Sequence, residues 1–227
     1  MTVPDTFLFD CDGVVLDSNR VKTEAFREAT LPFGAAAAEA MVTYHTANGG
    51  VSRYLKFRHF LTDILKTEVT DAALEGLLSA YAGAVRAGLR SCAVTPGLDA
   101  LRARVPDSRW CIVSGGDQAE LREVFAARGL DRLFDAGIFG SPDSKEVILE
   151  RLISGGVVPE RAVFIGDSRY DHVAAEKFGI PFVFASNWSE FADWPIYTKA
   201  RGLPVIEQAS QLVDLFALET RTRSAMP

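Results

Sequence analysis

The alternation of short apolar runs with longer segments of helical pattern constrains this chain most. Five runs are rich in β-branched and aromatic residues and are bounded by Gly, Asp or Ser: 6–9, 110–113, 137–139, 162–165 and 181–184. The intervening pattern predicts helices at 97–104, 117–128, 143–155, 171–178 and 208–217. Short, wholly apolar strands that alternate with helices predict an α/β fold, with a Rossmann-like parallel sheet core covered by helices on both faces.

Residues 18–92 interrupt this alternation, because they contain no convincing strand run. Their pattern predicts helices at 19–30, 35–46, 51–67 and 70–89. We therefore expect an inserted all-helical cap domain at 18–92 and a catalytic core made of 1–17 and 93–227. A hinge is expected near 90–97, where Pro96-Gly97 interrupts the chain. A chain of 227 residues is long enough for one sizeable core and a small second lobe.

Charge and cysteine content exclude several classes of protein. The formal net charge of -6 argues against a broad surface for nucleic acid or an anionic membrane. Cys11, Cys92 and Cys111 are odd in number and lack metal-ligand spacing, so we expect reduced thiols, with Cys11 and Cys111 buried in apolar runs.

No apolar run approaches the ~18–20 residues of a membrane span, and no signal-peptide pattern is present, so a cytoplasmic location is expected. Nothing in the sequence demands more than a monomer.

Two aspartates, Asp10 and Asp12, follow the first apolar run, and Gly13 allows the chain to turn sharply after it. Ligands of an open parallel sheet bind outside the carboxyl ends of its strands, so both side chains lie where chemistry is expected. One carboxylate of such a pair can attack while the other gives and takes a proton. Taken alone, the same residues are equally explained by a strand followed by an Asp-Gly turn.

The later strand ends are polar as well. Ser114 to Asp117 forms a predicted turn that opens a helix, and its hydroxyl and bare N–H groups suit an anion, although a simple helix cap explains them too. Lys145 opens a predicted helix, where the helix dipole opposes it and where a lysine is ordinarily solvated. Asp167 and Asp171 are four residues apart after the fourth run, so both can face one point.

Four carboxylates at the ends of two neighbouring strands would repel one another unless a cation lay among them. Hard oxygen ligands suit Mg²⁺, which commonly binds through a few carboxylates together with a substrate phosphate. Lys145 and Ser114 would then neutralise and orient a phosphoryl group. The combination therefore indicates phosphate chemistry far more strongly than any one of its parts.

These residues resemble the four motifs of the haloacid dehalogenase superfamily. The matching segments, in order over about residues 6–217, are Asp10-Cys11-Asp12-Gly13-Val14, Ser114, Lys145 and Gly166-Asp167-Ser168-Arg169-Tyr170-Asp171. The helical insertion is similar to the type-one cap of the β-phosphoglucomutase and phosphatase-like branch. Glu146 departs from the pattern, because a proline often follows the lysine of the third motif.

The resemblance implies a role for each matching residue. Asp10 would be the nucleophile that forms an aspartyl-phosphate, and Asp12 would protonate the leaving oxygen and then deprotonate the attacking water. Ser114, Gly115 and Lys145 would hold the phosphoryl oxygens.

The resemblance also implies the metal ligands. Mg²⁺ would be bound by Asp10, the backbone carbonyl of Asp12, and Asp167. Asp171 would act directly or through water and would position Lys145.

The expected activity is hydrolysis of a small-molecule phosphate ester. An Asp at position 12 can protonate a poor leaving group, whereas dehalogenases of the superfamily have no Asp there and phosphonatases usually carry a small residue. A phosphomutase is the main alternative, because Gly50-Val51-Ser52-Arg53 resembles the cap loop of the β-phosphoglucomutase branch. Those mutases usually have Glu and His where this chain has Arg20 and Lys22, which argues against it. A catalytically silent binding protein would lack a motif residue, and none is lacking.

The cap is expected to determine the substrate. Its basic residues near the cleft are Arg20, Lys22, Arg53, Lys56 and Arg58, and most helix positions of this kind face solvent. If Lys22 and Arg53 point inward, they favour a substrate with a second anionic group, such as a sugar phosphate or a sugar-acid phosphate. We expect the two cap histidines, His45 and His59, to be surface or packing residues rather than catalytic ones.

Overall fold

A six-stranded parallel sheet forms the centre of the protein. The computed structural model describes residues 3–216 and orders the strands β3-β2-β1-β4-β5-β6. The strands are β1 (Thr6–Phe9), β2 (Arg109–Asp117), β3 (Gly137–Ser141), β4 (Ala162–Gly166), β5 (Phe182–Ala185) and β6 (Val205–Ile206). The predicted fold class is therefore confirmed. From β1 the chain adds β2 and β3 on one side of the sheet and β4 to β6 on the other. The carboxyl end of β1, where the order switches sides, is therefore the expected place for a ligand.

Strand β1 shows why the sheet needs uninterrupted apolar runs. Phe7 and Phe9 belong to the core on one face, where their rings lie 5.8 and 4.9 Å from that of Trp110. Leu8 belongs to the core on the other face, together with Phe164. Because helices cover both faces, every residue of β1 is buried, and after Thr6 all of them are apolar.

Between β1 and the helix at residue 98, the described chain is helical and contains no strand. Its helices are α1 (Asn19–Thr30), α2 (Ala35–Ala47), α3 (Arg53–His59) and α4 (Asp71–Ser91). Aromatic rings pack against one another in this segment, where the ring of Phe26 lies 5.1 Å from Phe57 and 4.5 Å from Tyr81, and they continue the core on one face of the sheet. The expected all-helical insertion is therefore present in the fold.

The remaining helices flank the sheet. They are α5 (Leu98–Arg104), α6 (Gln118–Ala127), α7 (Lys145–Ser154), α8 (Arg169–Lys177), α9 (Trp194–Arg201) and α10 (Leu212–Leu215). None of the helices in the described part of the chain is long and apolar enough to cross a membrane. Cys11, Cys92 and Cys111 are free thiols, and Cys11 and Cys111 are buried as expected.

The second strand differs from its prediction. It was expected to end at Val113 and to be followed by a turn, but β2 stays extended as far as Asp117, with a register shift against β3 after Val113. The Ser141 hydroxyl, on the neighbouring strand, donates to the carbonyl of Gly115 at 2.9 Å and supports this extension. The turn expected at residues 114–117 is therefore wrong, because the chain stays extended there and α6 begins only after Asp117, which caps it.

Three other boundaries depend on tertiary contacts or on very short elements. The single helix expected at 51–67 divides into α3 and a wider turn at Phe60–Ile64. Strand β6 has two residues, too few for a periodic pattern, and α9 contains a proline in its first turn, so neither was predicted. The segment 208–217 forms a short 3-10 turn at Ala209–Gln211 followed by α10, and residue 217 lies outside the described residues.

Candidate active site

The carboxyl ends of the central strands and the helical segment together enclose a cavity of about 320 Å³. Asp10 follows β1, Asp167 follows β4, and both line this cavity. Lys22 and Arg53 line it from the helical segment. The predicted site residues of both parts of the chain therefore meet at one place.

Lys145 lies at the centre of the site. Its side chain is completely buried, and its ammonium lies 3.0 Å from Oδ1 of Asp10 and in a shorter contact with Oδ1 of Asp171. Ser168 donates to the other oxygen of Asp171 through its N–H at 3.1 Å and its hydroxyl at 2.6 Å. Because both oxygens of Asp171 are engaged by donors, this residue is well placed to position Lys145. The solvated position ordinary for such a lysine does not occur here.

Asp10 is held through one of its two oxygens. The N–H of Cys11 donates to Oδ1 at 2.7 Å, and Lys145 contacts the same atom. Among the residues that the structure describes, Oδ2 of Asp10 has no hydrogen-bond donor. This second oxygen is therefore available to a ligand in the cavity.

Burial and crowding raise the pKa values of two of the carboxyl groups. Burial raises the pKa of Asp10 to about 7, with smaller contributions from Asp171 and Asp12 that Lys145 opposes. Burial, Asp171 and Asp10 raise the pKa of Asp167 well above its ordinary value. Burial is the largest cause of both shifts, and the neighbouring carboxylates add to it, so the charged form of each group is disfavoured when no cation is bound.

The same residues suit a divalent cation bound by oxygen. Ligand atoms of Asp10, Asp167 and Asp171 lie within 4.8 Å of one another, and all three residues are buried. Three carboxylates and the ammonium of Lys145 leave a formal excess of two negative charges, which one divalent ion would cancel. Carboxylate oxygens are the ligands that Mg²⁺ prefers, so the donor set fits this ion.

The turn after β1 keeps this site compact. Gly13 has a φ of +74°, and a Cβ at this position would lie 2.1 Å from Oδ2 of Asp167. The amide of Asn19 donates to the same Oδ2 at 2.7 Å and to the carbonyl of Trp188 at 2.8 Å. Asn19 thus orients Asp167, a contact that no pattern in the sequence indicated.

Asp12 is paired with a residue of the helical segment. Its carboxylate accepts from the Ser18 hydroxyl at 2.6 Å and forms a short ion pair with the ammonium of Lys22. Burial raises the pKa of Asp12, but Lys22 and Ser18 outweigh it and hold that pKa below its ordinary value. Lys22 points inward, as the second-anion hypothesis requires, and its partner in the structure is Asp12.

The loop of the helical segment lies directly on β2. Ser114 is fully buried and its hydroxyl accepts from the N–H of Gly116 at 3.0 Å. A Cβ on Gly115 would lie 2.0 Å from the carbonyl oxygen of Gly50. A Cβ on Gly50 would lie 3.6 Å from the ammonium of Lys145. The two glycines therefore allow the loop to close over the site at van der Waals distance.

The five basic residues of the cap divide into two groups. Arg20 and Arg58 are exposed, whereas Lys22, Arg53 and Lys56 are buried and line the cavity. The burial of Lys56 was not expected from the sequence. Sequence reasoning also missed its contact with His45, which is buried and lies on the cavity wall.

Arg53 connects the helical segment to the core. Its guanidinium forms an ion pair with Glu120 of α6 and lies 4.6 Å from the centre of the Tyr81 ring. The neighbouring Tyr54 donates its hydroxyl to Oδ2 of Asp117 at 2.8 Å. These contacts hold the two parts of the chain together on the side of the cavity that faces α6.

The carboxyl edge of the parallel sheet thus carries this lysine and these aspartates under an inserted helical segment, the arrangement of a capped α/β protein. The model of the haloacid dehalogenase-like hydrolase family matches residues 4–179. The chain belongs to that family, and the resemblance inferred from its motifs is confirmed.

Individual relatives agree with this assignment. The phosphoglycolate phosphatase of Pseudomonas putida is 28% identical over 196 residues, which is 80% of this chain and 69% of that protein. A predicted phosphatase from Clostridium acetobutylicum has the same fold, with a TM-score of 0.73 and 18% identity over 95% of this chain and 99% of that one. The β-phosphoglucomutase of Clostridium difficile has a TM-score of 0.70 and 17% identity over 92% and 93%. The expectation of a hydrolase is confirmed, and the family and the curated relative support a phosphatase.

Proposed function

We propose that the protein is a Mg²⁺-dependent phosphatase that hydrolyses a small phosphorylated metabolite, a sugar phosphate or a sugar-acid phosphate. The observation that carries this proposal is Asp10, whose Oδ1 is fixed by Lys145 and Cys11 while Oδ2 is left for a ligand. A carboxylate that acts as a nucleophile must be held in one orientation and must keep one oxygen free to attack. The phosphoglycolate phosphatase relative supports the same class of substrate.

In the proposed first step, Oδ2 of Asp10 attacks the phosphorus, the bond between phosphorus and the ester oxygen breaks, and Asp12 gives its proton to that oxygen. In the second step, Asp12 takes a proton from water, the water oxygen attacks the phosphorus, and the bond to Asp10 breaks. The products are the alcohol and inorganic phosphate. Lys145 holds a phosphoryl oxygen throughout, and Ser114 and Gly115 hold the others.

Asp12 can carry a proton only when its ion pair with Lys22 is loosened, because Lys22 lowers its pKa. A phosphoryl group with two negative charges next to Asp12 would compete for the Lys22 ammonium. We infer that substrate binding draws Lys22 away from Asp12 and so prepares the acid. Lys22 and Arg53 would thereby act as substrate-binding residues of the cap.

Asp10, Asp167 and Asp171 would hold Mg²⁺, together with the backbone carbonyl of Asp12, and Asp171 would also position Lys145. When bound, the ion cancels the repulsion between the Asp10 carboxylate and the phosphoryl oxygens. The excess negative charge of the site is what supports this assignment.

We also infer that the chain forms two domains with different roles. Residues 18–92 would act as a cap domain, and 1–17 with 93–227 would form the core. A cap that closes over a cavity of about 320 Å³ suits a small molecule, because pockets of this class begin near ~300 Å³. Closure would exclude water until the substrate is placed. We keep the expectation of a monomer.

The first test is release of inorganic phosphate from a panel of sugar phosphates and sugar-acid phosphates. It is run with Mg²⁺, with EDTA, and with Asp10→Asn, and an exposed aspartate supplies the matched control, Asp107→Asn. We expect release that requires Mg²⁺, disappears in Asp10→Asn and persists in Asp107→Asn. Borohydride reduction during turnover should convert Asp10 to homoserine, detectable by peptide mass spectrometry. Full activity of Asp10→Asn would contradict the proposal.

One observation supports a phosphomutase as a second candidate. In the β-phosphoglucomutases that this chain resembles, a cap histidine helps to hold the acid–base aspartate away until the sugar binds. Lys22 occupies the position of that histidine and contacts Asp12, so it could hold Asp12 in the same way. The test is incubation of a sugar 1-phosphate with a sugar bisphosphate activator. An isomerised product would establish the mutase, and phosphate release without isomerisation would exclude it.

A further inference from the structure

Lys56 is the most unusual charged residue of the cavity wall. It belongs to α3, is only 2% exposed and lines the cavity. Its ammonium lies 2.7 Å from Nδ1 of His45 and 5.5 Å from the centre of the Phe26 ring. Lysine is almost never buried to this degree without a charged partner.

The other two buried cations of the cap have such partners. Lys22 is paired with Asp12, and Arg53 is paired with Glu120. Within residues 3–216, no carboxylate lies within 4.0 Å of the Lys56 ammonium. Lys56 therefore has no ion-pair partner within the described chain, and the more distant Asp12 and Glu190 only partly offset the effect of burial and of Lys22 on its charge.

His45 cannot supply the missing negative charge. Its ring lies 4.4 Å from that of Phe26, and burial together with Lys56 and Lys22 lowers its pKa well below its ordinary value. The imidazole is therefore neutral, and it orients the lysine without compensating its charge. Burial, reinforced by Lys22, correspondingly lowers the pKa of Lys56 to about 7. An anion bound next to Lys56 would relieve this cost.

We propose that Lys56, oriented by His45, binds a carboxylate of the substrate, so that the substrate is a phosphate ester of a hydroxy acid. This inference rests on the proposed phosphatase function and narrows its substrate class. A carboxylate suits the position because a single unpaired cation balances a single negative charge. A second phosphate has two charges and needs more donors than one ammonium supplies. In the proposed function Lys22 already serves the first phosphoryl group, and Arg53 is paired with Glu120.

The test compares phosphate esters that differ only in the carboxylate. The matched pairs are 2-phosphoglycolate with 2-hydroxyethyl phosphate, 3-phosphoglycerate with glycerol 3-phosphate, and 6-phosphogluconate with sorbitol 6-phosphate. The three lengths sample different distances between the phosphoryl group and Lys56. We expect the wild-type protein to prefer the carboxylate member of at least one pair in kcat/KM.

The decisive variant is Lys56→Met, which keeps the length of the side chain and removes its charge. We expect the preference for the carboxylate to fall by about 10- to 100-fold, because hydrogen bonds to charged groups are worth about that ratio. The kcat/KM of the neutral partner should change by less than about 2-fold. The matched control is Arg58→Met on the same helix, an exposed cation whose loss should leave the preference unchanged. An unchanged preference in Lys56→Met would overturn the inference, as would a preference for bisphosphates over carboxylates in the wild type.

Stability separates this role from a structural one. Removing an unpaired buried ammonium should leave the midpoint of thermal unfolding unchanged or raise it. A fall in that midpoint accompanied by an equal loss of activity on both members of a pair would overturn the inference. If Lys56→Met does not fold, Lys56→Gln provides the same comparison with a neutral polar side chain.

Binding distinguishes failure of this inference from failure of the proposed function. If the wild-type protein hydrolyses none of the compounds, the phosphatase proposal fails. The carboxylate subsite is then tested by calorimetry with 3-phosphoglycerate and glycerol 3-phosphate on the wild type and on Lys56→Met. Tighter binding of 3-phosphoglycerate that disappears in Lys56→Met supports the subsite, and equal binding of the two compounds refutes it.

Discussion

Asp10, the proposed nucleophile, should destabilise the metal-free protein, and Asp10→Asn should therefore stabilise it at alkaline pH. Asp10 is 2% exposed and shares Lys145 with Asp171, so the buried ammonium keeps a partner in the variant. An asparagine at position 10 can still accept from the N–H of Cys11. The substitution thus removes one excess charge and little else.

The magnitude follows from the pKa of Asp10, which is raised from 3.8 to about 7 by burial in the folded protein. Between these values the folded state binds a proton that the unfolded state has released, so stability falls as pH rises from about 4 to about 7. At about 1.4 kcal/mol per pH unit, the full effect of this group is about 4 kcal/mol above pH 7. Below pH 4 the effect disappears because the carboxyl is protonated in both states.

The assay is urea unfolding in EDTA at several pH values between 4 and 8.5. We expect Asp10→Asn to be more stable than the wild type by about 2–4 kcal/mol at pH 8 and nearly equal to it at pH 4. Added Mg²⁺ should stabilise the wild type more than the variant. The exposed substitution Asp107→Asn should show no such difference. If Asp10→Asn is neutral or destabilising at pH 8 in EDTA, the inferred excess of buried charge is refuted.

Three further predictions concern contacts between the helical segment and the core. Gly115→Ala should lower kcat/KM by about 100-fold or more without loss of the fold, because the added Cβ would lie 2.0 Å from the carbonyl oxygen of Gly50. Normal turnover of this variant would show that the loop containing Gly50 does not close on β2. Lys22→Met should destabilise the protein at pH 7 by about 2–4 kcal/mol, because it leaves Asp12 without its ion-pair partner. In denaturant unfolding, the double variant with Asp12→Asn should recover most of this loss, and additive losses in the two single variants would contradict the pairing. Tyr54→Phe should cost about 1 kcal/mol through its lost hydrogen bond to the core, measured by thermal unfolding; an unchanged midpoint would show that the bond is not formed in solution.

The parallel sheet and the motif residues at its edge could be predicted from the sequence for a local reason. A strand buried on both faces is mostly apolar, so its central residues form a run that can be recognised in the sequence. Once Asp10 and Asp167 are placed after parallel strands, the topology requires that they share an edge of the sheet. Lys145 was predicted by the same argument, because α7 begins directly after the turn that follows β3.

The boundaries that could not be predicted depend on neighbours in space. The hydroxyl of Ser141 supports β2 beyond Val113, although the Gly-Gly pair that follows resembles a turn in isolation. Strand β6 exists because it pairs with β5, and two residues have no periodicity of their own. The proline at the start of α9 is compatible with a helix only when the first turn begins there.

The sequence alone determined the α/β fold class, the helical insertion and the family, because these follow from local patterning and from the order of short motifs. Only the tertiary structure decided which charges meet. Asn19 and Asp167 are separated by 148 positions in the chain, and Lys56 and Arg58 lie on one helix yet differ completely in exposure. An ion pair depends on the distance between two atoms after folding, whereas a hydrophobic pattern depends on neighbouring residues. The carboxylate subsite proposed at Lys56 could for this reason emerge only from the folded chain.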